Sequence, residues 1–170
     1  MELLLWLILI FLVVQRLAEL QIADRNKEWM MERGAKEWGK GHYFLFLILH
    51  TLFFLSLLGD FLLTPAPEPG PLFFTALLSF IVLQALRIWC IGTLGKRWNT
   101  RIIVLPDEEP INRGLYRYIK HPNYVIVFFE LLVIPVLFQA YVTAFVFPFL
   151  HLLVLQVRIP AEERALRERV

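Results

Sequence analysis

The chain has 170 residues, of which 58% are apolar and only 19% charged, with a formal net charge of +2. A soluble domain averages roughly 45–50% apolar and about 25% charged residues. The composition therefore excludes disorder, a collagen-like chain and an ordinary soluble enzyme, and the single Cys90 excludes an internal disulfide and any cysteine-based metal cage.

Five apolar stretches follow in chain order. A bilayer core of ~30 Å needs about 20 helical residues to cross. Residues 3–23 open with twelve uninterrupted apolar positions, Leu3 to Val14, and continue as an amphipathic helix carrying Arg16 and Glu19. Residues 43–63 form a second predicted span, with His50, Thr51, Ser56 and Asp60 as polar members. Residues 72–94 form a third, with Gln84 and Arg87 inside. Residues 124–138 are apolar except for Glu130, and residues 140–157 follow almost at once with His151 and Gln156. The fourth run holds fifteen residues, about 22 Å of helix. It is expected to form a tight hairpin with the fifth, kinked or locally broken at Pro135 and Pro148. The predicted fold is an all-α integral membrane protein of five spans, one domain over 1–170, with a pocket facing the cytoplasm.

Fifteen of the seventeen Lys and Arg fall in segments 24–42, 95–121 and 158–170, and none in the Pro-rich turn 64–71. By the positive-inside rule the N-terminus is expected outside and the C-terminus in the cytoplasm, as for a protein of a bacterial inner membrane. Glu2 stands where a cleavable signal has basic residues, so the first helix is expected to remain as an anchor.

Segment 95–124 is the most polar part of the chain and enters the hairpin directly. Pro122 suits the first position of the fourth helix, which places Lys120 and His121 beside free backbone N–H groups. Gly114 permits a turn or a close approach. Tyr116, Tyr118 and Tyr124 suit interface depth. In the tail, Arg158 is expected to leave the fifth helix at the membrane surface. Pro160 is expected to start a new helix, with Glu162 and Glu163 in its first turn. Within the membrane, Glu130 is expected to have a structural role, either paired with Arg87 or protonated against a hydroxyl. His50 and His151 lie at similar depth, and a haem held between them is a rival reading.

The string Gly114-Leu115-Tyr116-Arg117-Tyr118-Ile119-Lys120-His121-Pro122-Asn123-Tyr124, followed by a two-helix hairpin and then Arg158 with Glu162-Glu163, resembles the isoprenylcysteine carboxyl methyltransferase family. That family's pattern is close to G-x-Y-x-x-x-R-H-P-x-Y, then R-x-x-x-E-E. Leu94 through Trp98 also resembles the family's approach to the motif. Segment 15–43 is similar to small bacterial members thought to methylate alkylpyrone or alkylresorcinol hydroxyls. Lys120 departs from the usual Arg, and the sequence ends before the family's C-terminal G-x-x-Y helix.

The resemblance implies an S-adenosylmethionine-dependent O-methyltransferase with no metal. Its acceptor would be the carboxylate or acidic hydroxyl of a lipid-tailed molecule reached from the bilayer. Gly114, Leu115, Tyr116, His121, Tyr124, Glu162 and Glu163 would bind the cofactor, and Arg158 would orient the acceptor. No nucleic-acid partner is implied. The alternatives are a non-enzymatic subunit such as a b-type cytochrome, and a phospholipid N-methyltransferase.

Overall fold

The computed structural model describes residues 1–65, 68–106 and 108–168. Ala66, Pro67, Asp107, Arg169 and Val170 lie outside the described residues, so the middle of the 64–71 turn and the last basic residue of the tail go untested. The helices are α1 (Glu2–Met31), α2 (Lys40–Leu63), α3 (Pro71–Leu94), α4 (Pro122–Leu137) and α5 (Tyr141–Arg167). Four helical segments are long and apolar enough to cross a membrane: α1, α2, α5, and α3 continued to Arg97. Helix α4 is apolar but has sixteen residues and falls short of that length, so among the described residues four helices reach the length of a span where five spans were expected.

Each helix buries one stripe. In α1 the buried positions Leu5, Leu12, Glu19 and Asn26 recur every seven residues. In α5 the same spacing joins Ala144, His151, Arg158 and Ala165. Two helical turns bring a side chain back to nearly the same face, so an apolar stripe continues as a polar one without turning away from the bundle. Leu5, Leu12, Phe53, Leu57, Phe80, Leu131, Ile134 and Phe138 fill the apolar core at the end where α4 turns into α5. There Thr143 donates to Asp60 at 2.7 Å and meets Ser56 at 2.7 Å, tying α5 to α2.

The hairpin turn forms as expected but by an unusual device. Gln139 takes a left-handed backbone (φ 55°), while the Gln139 and Ala140 N–H groups close back onto Val136 and Pro135 carbonyls. Helix ends of this kind usually place glycine there. Pro148 does not break α5, and Pro160 does not start a new helix, because α5 runs unbroken from Tyr141 to Arg167 through both. Contacts on both sides of Pro160 hold the continuation: Arg158 donates to Thr100, and Ala165 packs with Ile102 and Val104. Bilayer-spanning helices tolerate proline where neighbours support the freed backbone groups.

A short antiparallel pair, β1 (Lys36–Trp38) with β2 (Ile102–Val104), closes the polar end of the bundle. The sequence reading did not anticipate it. Two 3₁₀ turns, Gly95–Arg97 and Gly114–Arg117, complete that end. Asn26 of α1 donates to the Trp98 carbonyl at 2.7 Å and Asn99 to the Ala23 carbonyl at 2.8 Å, so the loop is stitched to α1.

Candidate functional site

A cavity of about 550 Å³ opens among α1, α2, α4, α5 and the polar loop. That lies within the ~300–1,000 Å³ of ordinary ligand sites. It has three zones.

At the polar end, Tyr116, His121, Tyr124, Arg158 and Glu162 all line it. Arg158 does not leave the fifth helix. It is only 4% exposed, inside α5, because it continues the buried stripe seven residues after His151. Its Nε donates to the Tyr124 hydroxyl at 3.2 Å and its Nη2 to the Thr100 carbonyl at 2.8 Å. Its Nη1 is buried with no hydrogen-bond partner. The Tyr124 hydroxyl donates in turn to Glu162. His121 stacks on Tyr124 with ring centroids 5.5 Å apart, and its Nδ1 lies 3.7 Å from Glu162. The Glu162 carboxylate raises the His121 pKa above its ordinary value, against the opposing effect of burial, and Glu163 adds to the rise. Burial, then the hydrogen bond to Cys90, pushes the Tyr116 phenol well up.

Three of the expected residues lie elsewhere. Gly114 and Leu115 seat the 3₁₀ turn against α3 and do not line the cavity. Gly114 has φ +58°, and a Cβ there would stand 2.8 Å from Thr93 Oγ1. Leu115 packs with Leu83, Cys90 and Ile126. Glu163 also lies off the cavity: Glu162, four residues after Arg158, continues the inward stripe, whereas Glu163 is rotated away from it. Glu163 binds Lys120 at 3.1 Å and Arg167 at 3.4 Å, and approaches His121 Nε2 at 3.6 Å.

In the middle zone the Phe46 ring is the hub. Its centroid lies 6.3 Å from that of His50, 6.0 Å from His151 and 6.2 Å from Tyr124, with the Arg158 guanidinium 5.4 Å away. Both histidines have one ring nitrogen on a backbone carbonyl, His50 Nδ1 on Phe46 and His151 Nε2 on Tyr124. Phe46 escaped the sequence reading because a phenylalanine within an apolar run carries no signal.

The inner zone ends on ions. Arg87 donates to Glu19 through Nε at 2.6 Å and to Glu130 through Nη1 at 3.0 Å. Arg16 bridges Glu19 at 2.9 Å and Glu130 at 2.7 Å. Gln84 donates to Glu130 at 2.9 Å. The expected Glu130–Arg87 pair is thus half of a neutral quartet joining α1, α3 and α4. Glu19 and Arg16 as its other half were legible only as the polar continuation of the α1 stripe. On the flank, Leu17 and Leu20 of α1 face Leu47 and Leu55 of α2 across the cavity, all exposed. The cavity therefore opens sideways between two apolar helices.

Helices and site together define a membrane protein with a cavity that joins a charged ring to a greasy slot. The family model for isoprenylcysteine carboxyl methyltransferases matches residues 75–168, which covers most of α3, the polar loop and the hairpin. The chain belongs to that family, a family of membrane methyltransferases. It is similar to "Uncharacterized protein YpbQ" of Bacillus subtilis strain 168, with 40% identity over 96% of this chain and 96% of that protein. It is also similar to an "Uncharacterized protein" of Haemophilus influenzae Rd, with 30% identity over 89% of this chain and 88% of that one. No solved structure matches the chain.

Proposed function

We propose that the protein transfers a methyl group from S-adenosylmethionine to an oxygen of a lipid-tailed acceptor at the cytoplasmic face of a bacterial inner membrane. The observation that carries this reading is the shape of the cavity. A ring of polar side chains at one end meets an apolar slot open toward the bilayer between α1 and α2. A water-soluble cofactor suits the first and a hydrocarbon tail the second.

The polar ring fits such a cofactor. Asn123 Oδ1 is buried without a hydrogen-bond partner on a residue lining the cavity, and Glu162 presents a carboxylate there. Glu162 would hold an ammonium or ribose hydroxyl, His121 and Tyr124 would contact the rest of its polar end, and Tyr116 would close that wall. The bound cofactor supplies an electrophilic methyl on a sulfonium. Arg158 orients the acceptor: its unpartnered Nη1 is free for an oxygen of the acceptor, while Tyr124 and Thr100 fix its plane. The bundle excludes water from a step that loses charge, and positioning supplies much of the rate.

The experiment is a pair of titrations on purified protein: affinity for S-adenosylhomocysteine by calorimetry, and turnover with a host lipid extract. Arg158→Lys keeps the charge but loses the planar fork, so turnover should fall at least tenfold with cofactor affinity within twofold. Glu162→Gln should weaken cofactor affinity, whereas Glu163→Gln should change it less than twofold. Equal effects of the two Glu substitutions, or undetectable binding to wild type, would overturn the reading.

A further inference from the structure

We propose that the end of α1 and the 95–97 turn form a binding site for the phosphodiester of an anionic phospholipid. None of its three residues lines the cavity, and it does not depend on the reaction run there.

The site is built around Trp29. Its indole carries two cations: the Arg33 guanidinium lies 4.1 Å from the ring centroid and the Lys96 ammonium 5.4 Å. They come from different elements, and the backbone places both. After α1, the Gly34 N–H closes onto the Met31 carbonyl and the Ala35 N–H onto the Met30 carbonyl, with Gly34 in a left-handed conformation (φ 79°). This pair of bonds reverses the chain at a helix end. It brings Arg33 back over Trp29, where its Nη1 donates to the Trp29 carbonyl at 2.9 Å. Lys96 sits in the 3₁₀ turn Gly95–Arg97, whose Gly95 carbonyl accepts from Asn26 of α1 at 3.3 Å.

The charges gathered there do not cancel. Arg33 has Glu32 at 3.8 Å, on a side chain that is itself exposed. Lys96 forms no ion pair among the described residues. Its neighbour Arg97 turns instead to Glu108 at 3.1 Å and to the Glu109 carbonyl at 2.7 Å. Two cations on one ring, with a single solvated carboxylate beside them, leave room for an anion. A phosphodiester offers two anionic oxygens, one for each cation, and the guanidinium fork matches phosphate geometry.

The surroundings favour a membrane lipid over a free phosphate. Indole rings settle at headgroup depth. Two turns before Trp29 on α1, Ile22 is exposed, and about two turns before Lys96 on α3, Ile88 is exposed. Between Ile88 and Lys96, a Cβ on Gly92 would meet no atom within 4 Å. Acyl chains hanging from a phosphate on Arg33 and Lys96 thus find apolar side chains and open space below it. The bound phosphate would also bridge α1 to the loop that carries Thr100, whose carbonyl holds Arg158. It adds to the stitches that Asn26 and Asn99 already make there.

The test is native mass spectrometry of the purified chain released from micelles holding equal amounts of phosphatidylglycerol and phosphatidylcholine with the same acyl chains. One basic residue at a membrane surface contributes about fivefold to binding of an anionic lipid, so wild type should prefer phosphatidylglycerol by about twentyfold. Arg33→Gln and Lys96→Gln should each lower the preference below about threefold, and the double variant should fall no further, because one phosphate uses both cations. Lys40→Gln removes the same charge from an exposed residue outside the site and should stay within about twofold of wild type. An equal loss in Lys40→Gln, or single losses that multiply in the double variant, would show diffuse attraction to surface charge and overturn the proposal. Displacement of the lipid by inorganic phosphate would overturn it too, since the site would then read a soluble anion. A second readout is amide hydrogen exchange over residues 95–101. It should be slower in phosphatidylglycerol than in phosphatidylcholine micelles for wild type, and equal in the two for Arg33→Gln; equal rates in wild type would refute the bridge. Binding of S-adenosylhomocysteine is measured separately, so failure here leaves the methyltransferase reading intact.

Discussion

Replacing Glu130 by Gln tests whether the ion quartet holds the bundle together. Glu130 is 1% exposed and accepts from Arg16 at 2.7 Å, Arg87 at 3.0 Å and Gln84 at 2.9 Å. The amide keeps one oxygen and the shape. Its oxygen can stay on the two guanidinium groups, which both donate to Oε2, while its NH2 turns toward Gln84, but the quartet is left with one uncompensated positive charge. Breaking a buried pair from one side costs ~3–5 kcal/mol in water-soluble proteins. In a micelle the unfolded helices also find substitute partners, which lowers the cost of losing polar contacts. The expected loss is therefore about 3 kcal/mol. The assay is reversible unfolding in mixed micelles as sodium dodecyl sulfate is raised, read by the fluorescence of the five tryptophans. Adding Arg87→Gln restores neutrality, so the double variant should be less destabilised than the sum of the singles, by ~1–2 kcal/mol. A Glu130→Gln variant within about 0.5 kcal/mol of wild type, with additive doubles, would show that the quartet contributes nothing to folding.

Three further outcomes are expected. A cysteine replacing Glu68, in a Cys90→Ser background, should react with an impermeant maleimide from outside intact cells while one replacing Lys36 should not; the opposite pattern inverts the topology. Gly114→Ala should destabilise by roughly 1–3 kcal/mol in the same unfolding assay, since its Cβ would stand 2.8 Å from Thr93 Oγ1 on a backbone with positive φ; an unchanged midpoint would show that the turn can shift. His121 has a pKa raised in the folded protein, chiefly by Glu162, so its contribution is complete below about pH 6.5 and is lost as pH rises through the raised value. The stability gap between wild type and His121→Gln should accordingly shrink from pH 6 upward, and a gap that is constant or widens refutes the pairing.

The sequence by itself determined the class of protein. Apolar runs near 20 residues have few stable forms other than membrane helices, and the basic clusters mark one end of the bundle. The motif from Gly114 to Tyr124 with Arg158 and the Glu pair also marked where the polar ring forms, since Tyr116, His121, Tyr124, Arg158 and Glu162 converge on one cavity. Tertiary structure decided the rest. Glu162 and Glu163 are chemically equal neighbours, and only the uninterrupted passage of α5 through Pro160 turns the first inward and the second toward Lys120. Gly114 and Leu115 belong to the motif string, but they serve the packing of its turn on α3. The quartet needs residues 16, 19, 87 and 130 on three helices, and Phe46 draws its role from four groups on α2, α4 and α5. A linear pattern reports which face of a helix is polar. Which polar faces meet depends on how the helices rotate and pack, and that is set by side chains far apart in the chain.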